Sequence, residues 1–202
     1  TSHTYTLTAG AGDPLILSAG ATTGNEYDPV AGGQTPTHLI DGSGMLGQAS
    51  PSDTHDNHNS AFTMWHTGAN PGETAWVQVD LGDIYPLDEM YIWNLNQQNH
   101  AGRGLKNVRI EYSLNGSSWT ALTVPEGMKF QEGGDAAYPF QLARASGQNG
   151  CAATNLNDGK NTPVRFDGAE ARYVRITAQP EVGNGSWGEE YFGLSELRFT
   201  RK

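Results

Sequence analysis

Trp76-Val77-Gln78-Val79-Asp80-Leu81 is the stretch on which the fold turns. Val77, Val79 and Leu81 alternate with Gln78 and Asp80, the period of two that lays one face of a β-strand on a core and turns the other to water. Gly82-Asp83 reads as the turn that ends this strand. Downstream, Met90-Tyr91-Ile92-Trp93-Asn94 forms a second strand, and Val108, Ile110 and Tyr112 alternate with Arg109 and Glu111 in a third. Asn115-Gly116 predicts a hairpin with a type I′ turn, which needs positive φ at both central residues, and Trp119-Thr120-Ala121-Leu122 is the returning strand. Arg172–Ile176 and Leu194–Phe199 supply two closing strands. Upstream, Pro14-Leu15-Ile16-Leu17 opens one strand in a first sixty residues otherwise broken up by Pro14, Pro29, Pro36 and Pro51. Residues 125–163 show only weak alternation and are expected to form a decorated loop holding at most one short hairpin.

No segment carries a sustained 3.6-residue period, so very little helix is expected. Many short strands and frequent turns, in a chain of 202 residues with 26 Gly and 10 Pro, point to an all-β antiparallel sandwich built as one domain over residues 1–202.

The formal net charge of -10, from 22 acidic against 12 basic residues, repels phosphate backbones and anionic membrane surfaces. Nucleic acid is therefore not expected as a partner, and no membrane insertion is expected because no apolar run is long enough to cross a bilayer. Acidic loops leave room for calcium, whose hard charge prefers oxygen ligands. Cys151 stands alone, so neither an internal disulfide nor a cysteine metal cluster can form, as suits a bacterial extracellular protein. The chain opens without a charged-then-apolar leader, so an export signal is expected to have been removed. Gly-x-Ser-x-Gly, His-Glu-x-x-His and phosphate-loop motifs are absent. Glu189-Glu190, or Asp53 with Asp56, would be the only carboxylate pairs to consider for glycoside cleavage. Adjacent strand residues point to opposite faces, which makes the first pair a poor one. The Asp53-Thr54-His55-Asp56 cluster reads better as a polar loop than as a cation site.

Taken in order, Leu39-Ile40-Asp41-Gly42, Thr63-Met64-Trp65-His66, Trp76–Gly82, Ile92-Trp93-Asn94, Ile110–Ser113 with Trp119, Ala171–Arg175 and Gly193–Phe199 resemble a discoidin, or coagulation factor 5/8 type C, domain across residues 39–199. The resemblance implies a galactose-binding-like jelly roll. In bacteria it implies a carbohydrate-binding module similar to family 32, non-catalytic and tethered to a secreted polysaccharide-degrading enzyme, with a β-sandwich lyase or hydrolase, or a cell-surface adhesion domain, as the alternatives. A polysaccharide or oligosaccharide is the expected partner and a monomer the expected state. The chain departs from the family pattern by insertions around residues 46–60 and 125–163.

The resemblance also implies a structural calcium held by Asp41 and Glu196, with Ser43, Thr63 and the Leu39 carbonyl as further oxygen donors. The alternative is that Asp41 only stabilises its turn and Glu196 is a solvated strand residue. For sugar, it points to loops around Glu26, after Trp93-Asn94 and before Gly193, and to His66 as a hydroxyl ligand. The residues themselves add Arg103, whose planar fork can donate to two adjacent hydroxyls, unless it forms an ordinary surface ion pair. Asn94 and Asn96 join it from the same amide-rich loop, although Asn94 could equally cap its strand. Trp187, Tyr191 and Phe192, in a glycine-bounded loop with Glu189 and Glu190, are the stacking candidates, with one of them free to fold back onto the sandwich. Trp65, Trp76, Trp93 and Trp119 are expected in the core.

Overall fold

The computed structural model describes residues 15–16, 20–23, 34–47, 50–58, 62–69, 75–124 and 135–202, with side chains from residue 34 onward. In chain order the strands are β1 (Leu15–Ile16), β2 (Gly20–Thr23), β3 (Met45–Leu46), β4 (Thr54–His55), β5 (Trp65–His66) and β6 (Trp76–Asn94). They continue as β7 (Asn107–Ser113), β8 (Thr120–Ala121), β9 (Phe140–Gln141), β10 (Cys151–Ala152), β11 (Val164–Arg165), β12 (Glu170–Ala178) and β13 (Gly193–Arg201). Helix is confined to two 3-10 turns, Pro36–Leu39 and Ala101–Arg103, among the described residues.

Among the described residues the named strands all pair antiparallel, with one isolated parallel bridge between Gly104 and Gly193, and β6 belongs to both layers of the sandwich. Its first half lies between β2 and β12, with Val79 opposite both Ala21 and Val174. Outside β12 comes β7, Ile176 facing Ile110, and then β8 and β9. The second half of β6 pairs with β13, Leu197 facing Ile92 and Phe199 facing Met90, and with β11 on its other edge. Beyond β13 lie β1 and β5. Val77, Val79, Leu81, Ile110, Val174 and Ile176 from one layer meet Met90, Ile92, Leu197 and Phe199 from the other in a closed apolar core. Each such side chain contributes about 1.5–3 kcal/mol by leaving water.

The alternation read in the sequence therefore holds, but the turn assigned to Gly82-Asp83 does not. Gly82 takes φ +84°, which a side chain would resist, and the strand bends there without ending. Asp80 Oδ1 accepts the Gly82 N–H at 2.9 Å, and the pairing of β6 with β12 resumes across an irregularity between Ala171 and Tyr173. The glycine carries one continuous strand from one layer to the other.

Asn115-Gly116 does lie between paired strands, Tyr112 facing Thr120, but not in a type I′ turn. Gly116 has φ +72°, whereas Asn115 is outside the left-handed region. Side chains take over: Ser113 Oγ accepts from the Asn115 and Gly116 amides, and Asn115 Oδ1 from those of Ser117 and Ser118, so a longer capped loop replaces the tight turn.

The two insertions are not independent loops. β10, from the second, pairs with β4, from the first, and β4 pairs with β3, giving a separate three-stranded sheet. Of the tryptophans, Trp65 and Trp93 are core residues. Trp76 and Trp119 are only half-buried, because they stand on the outer face of the first layer with the Arg175 guanidinium 4.9 and 4.1 Å from their rings.

Candidate functional site

Three loops converge at one end of the sandwich. β5 is laid on the start of β13, Gly193 facing His66, and Thr67 and Phe192 exchange two bonds: Thr67 N–H to the Phe192 carbonyl at 3.0 Å, and Phe192 N–H to Thr67 Oγ1 at 3.2 Å. The fit requires glycine, since a Cβ on Gly193 would lie 2.4 Å from the Trp65 carbonyl oxygen. The loop after β6 is zipped to the loop before β13 by Leu105 N–H to Gly193 O, Trp187 N–H to Gly104 O and Glu189 N–H to Gly102 O, at 3.1–3.2 Å. Chemistry-bearing residues from distant parts of the chain are thereby fixed side by side.

Arg103 is at the centre. Its guanidinium lies 4.2 Å from the Tyr191 ring centre, Nε donates to Glu189 Oε2 at 3.1 Å, and Nη1 donates to Gln97 Oε1 at 3.1 Å. Nη2 has no partner among the described residues. His100 Nδ1 shares Glu189 Oε2 at 3.0 Å. The buried ring of His66 meets Tyr191 edge to face, centroids 5.3 Å apart. Its Nδ1 lies 2.8 Å from the Thr67 carbonyl, which marks Nδ1 as the protonated nitrogen of the neutral ring. Burial pushes the His66 pKa down to about 4, helped by the positive charges of Arg103 and His100 and opposed by the Thr67 bond and Glu189. At neutral pH the cluster offers an aromatic ring, a half-used guanidinium, a carboxylate and a neutral imidazole, which suits a ligand bearing hydroxyls on an apolar frame.

Three sequence-predicted ligands lie elsewhere in role. Asn94 is fully buried, its Nδ2 donating to the Leu105 and Ala143 carbonyls at 2.7 and 2.8 Å while Oδ1 accepts the Leu95 amide. Asn96 is fully buried too, joining the Asp56 and Gln148 carbonyls to the Gly147 amide. Short amides near a strand end are captured by unpaired backbone groups, which leaves nothing for a ligand. Phe192 is a core residue: its backbone is tied to Thr67 on both sides, and its ring packs into the sandwich core. Glu26 lies outside the described residues. Trp187 is half-buried beside the cluster, with the Lys106 ammonium 5.1 Å from its ring. Glu189 was legible only as a marker of an exposed loop or as a catalytic acid; the one clue to its role is a charge opposite to that of Arg103.

The residues proposed for calcium form a second centre. Asp41 Oδ1 accepts the Ser43 amide at 2.8 Å and its other oxygen lies 3.3 Å from His38 Nδ1. Burial would raise its pKa, but these His38 and Ser43 bonds outweigh it and hold the carboxyl below its usual range. Glu196 is not a solvated strand residue: it is wholly buried and ion-paired with Arg198, yet neither carboxylate oxygen has a well-directed hydrogen bond. Burial pushes its pKa well up and the nearby Asp41 charge adds to this, against Arg198 and the Gly42 amide. Two neighbouring carboxylates, one wholly buried and without a well-directed hydrogen bond, fit a hard dication. The Thr63 hydroxyl donates to Asp56 Oδ1 at 3.0 Å, which leaves its oxygen lone pairs uncommitted, and Leu39 is a buried residue of the 3-10 turn. No group of three or more His, Cys, Asp or Glu side chains is gathered as if for a metal among the described residues.

Neither carboxylate pair suits glycoside cleavage. Glu189 is tied to Arg103 and His100 while Glu190 is exposed. Asp53 accepts the Ser50 amide, and Asp56 accepts from Thr63 and from the His58 amide, so both stabilise local turns.

The sequence profile of the F5/8 type C domain matches residues 31–191. Among solved structures, the chain is similar to the third family 32 carbohydrate-binding module of a family 31 glycoside hydrolase from Clostridium perfringens, at 19% identity and TM-score 0.56 over 91% of both chains. It is also similar to a His 62 mutant of the lectin-binding domain of lectinolysin complexed with Lewis b, at 20% identity and TM-score 0.53, covering 93% of this chain and 95% of that one. A third is the family 32 module of Clostridium perfringens NanJ in complex with galactose, at 17% identity and TM-score 0.50, covering 93% and 98%. No curated protein matches. At these identities the structural likenesses bear on the fold, an antiparallel β-sandwich.

Proposed function

The chain belongs to the F5/8 type C domain family, and from that premise we propose that residues 1–202 are one non-catalytic carbohydrate-binding module of a secreted bacterial protein. The observation that carries this reading is the Arg103 guanidinium held 4.2 Å over Tyr191 by Glu189, with His66 against the ring edge, at the loop end of a rigid sandwich. A sugar would set its apolar C–H face by Tyr191. One hydroxyl would accept from Arg103 Nη2 and another would donate to Glu189 Oε1, the oxygen not used by Arg103 or His100. Solved relatives of this fold include modules carried by glycoside hydrolases and complexes with galactose and Lewis b. A shallow site that orders few sugar units binds weakly, and tethering to a polysaccharide-degrading enzyme would convert weak contacts into useful local concentration. The module is expected to act as a monomer.

Asp41 and Glu196 would hold the structural calcium, with Ser43, Thr63 and the Leu39 carbonyl completing its oxygen shell. The ion would relieve the buried Glu196 charge and tie the Leu39–Ser43 turn to β13.

Glycan-array or affinity-gel binding tests the reading, run with calcium and with chelator. Arg103→Ala and Tyr191→Ala are each expected to weaken binding at least about tenfold, the range for losing a charge-assisted hydrogen bond or a stacking contact of about 1.4 kcal/mol or more. Chelator is expected to lower the melting temperature more than it lowers affinity. Unchanged binding in both variants would overturn the site.

A further inference from the structure

Arg103 over Tyr191 is not the only cation set against an aromatic ring on these loops. Lys106 Nζ lies 5.1 Å from the Trp187 ring centre, and the same backbone ladder holds the two in register: Trp187 N–H bonds Gly104 O, and Lys106 N–H bonds Gly185 O at 2.9 Å. Two residues further along, Glu189 N–H bonds Gly102 O, and the Glu189 side chain lies so close over Gly102 that a Cβ there would meet its Oε1 at 2.7 Å. Trp187 and Tyr191 thus lie two residues to either side of Glu189 on the segment laddered to residues 102–106.

The two cations differ in how they are neutralised. Arg103 is ion-paired with Glu189 at 3.1 Å. Lys106 donates only to the Gly183 carbonyl, at 2.8 Å, and no carboxylate lies within ion-pair distance of it among the described residues. A carbonyl satisfies one of three ammonium donors and cancels no charge. The Trp187 ring is half-buried; its indole N–H is turned inward without a hydrogen-bond partner among the described residues, which leaves the exposed part of the ring as its free surface.

We propose that Lys106 and Trp187 form a second sugar subsite, beside the Arg103–Tyr191 subsite, that takes an acidic unit: a uronate, sialate or sulfated sugar. Trp187 supplies the apolar ring and Lys106 the charge. The preferred ligand is then a glycan with a neutral unit next to an anionic one. With a net charge of -10 on the whole chain, discrimination in favour of an anion must come from such a local cation and not from the overall field. This inference rests on the carbohydrate-binding reading above and goes beyond it in naming the ligand class.

The test is an array of neutral glycans printed beside their sialylated, sulfated and uronic-acid counterparts, probed with the wild-type domain, Lys106→Gln, Trp187→Ala and Arg103→Ala. The wild type is expected to favour acidic members over their neutral counterparts by up to about fivefold, the range of a partly exposed ion pair. Lys106→Gln should erase that preference while keeping neutral binding and the melting temperature. Trp187→Ala should weaken acidic members most, and Arg103→Ala should weaken both kinds. Equal wild-type binding to neutral and acidic counterparts, or a preference surviving Lys106→Gln, overturns the acidic subsite and leaves the module reading standing. Binding to no glycan overturns both.

Discussion

Residues 94–96 and 103 belong to one short amide-rich loop, yet the structure uses its two ends oppositely. Asn94 and Asn96 are wholly buried and spend both side-chain polar atoms on backbone groups, whereas Arg103 reaches the rim with part of its fork uncommitted. The difference is one of reach. A side chain with one methylene stays among the carbonyls and amides left unpaired where strand β6 ends, while the longer arginine stem carries its charge clear of them. Polar density near a strand end is therefore no measure of how many residues face a ligand.

Mutation separates the two ends most sharply at Asn96. Its amide joins the first insertion at Asp56 to the second at Gly147 and Gln148, and its own N–H bonds Ser195 Oγ at 3.0 Å. Asn96→Ala should cost about 3 kcal/mol or more, because several buried partners lose their bonds at about 1–3 kcal/mol each. Chemical denaturation would register this as a lower midpoint. If glycan affinity per folded molecule fell as much as it does in Arg103→Ala, the division between structural and ligand-facing ends would collapse.

A smaller effect comes from pH. His66 stays neutral in the folded protein down to about pH 4, while the unfolded chain takes up the proton near 6.5. The unfolded state therefore binds more protons between these values, and the stability contributed by burying the neutral ring is fully present above pH 6.5 and lost as pH falls toward 4. Urea midpoints from pH 7.5 to 4.5 should fall less steeply in His66→Gln than in the wild type; parallel profiles would contradict the buried neutral ring.

The smallest effect belongs to Arg103 itself. Its ion pair with the partly exposed Glu189 is worth about 0–1 kcal/mol to stability, so Arg103→Ala should melt within a few degrees of the wild type while losing sugar. A large melting loss would make Arg103 a structural residue.

Much of the sandwich was legible because alternation is a one-dimensional signal: Val77, Val79 and Leu81 announce their buried face without reference to any partner. Where a turn signal was read alone it misled. Gly82 bends a continuous strand because β12 keeps pairing across it, and Asn115-Gly116 is overruled by the hydroxyl of Ser113. The insertions around residues 46–60 and 125–163 gave no sign that they would share a sheet, since two-residue strands carry too little pattern to reveal a partner a hundred residues away. One of Trp187, Tyr191 and Phe192 was expected to fold back onto the sandwich, with Phe192 the weakest stacking candidate; only the docking of the loop against Thr67 shows that Phe192 is the ring that does so.

What the amino-acid order determined by itself was the class of the fold, the closing strands, the aromatic loop and the acidic balance. These depend on local periodicity and composition, which need no neighbours. Tertiary structure alone decided that Arg103, Glu189, His66 and Tyr191 meet, that Asn94 and Asn96 do not join them, and that Glu196 is buried beside Asp41. Each of those facts is a long-range juxtaposition, fixed by which backbone groups remain unpaired once the two layers close, and that is settled only when the whole chain is in place.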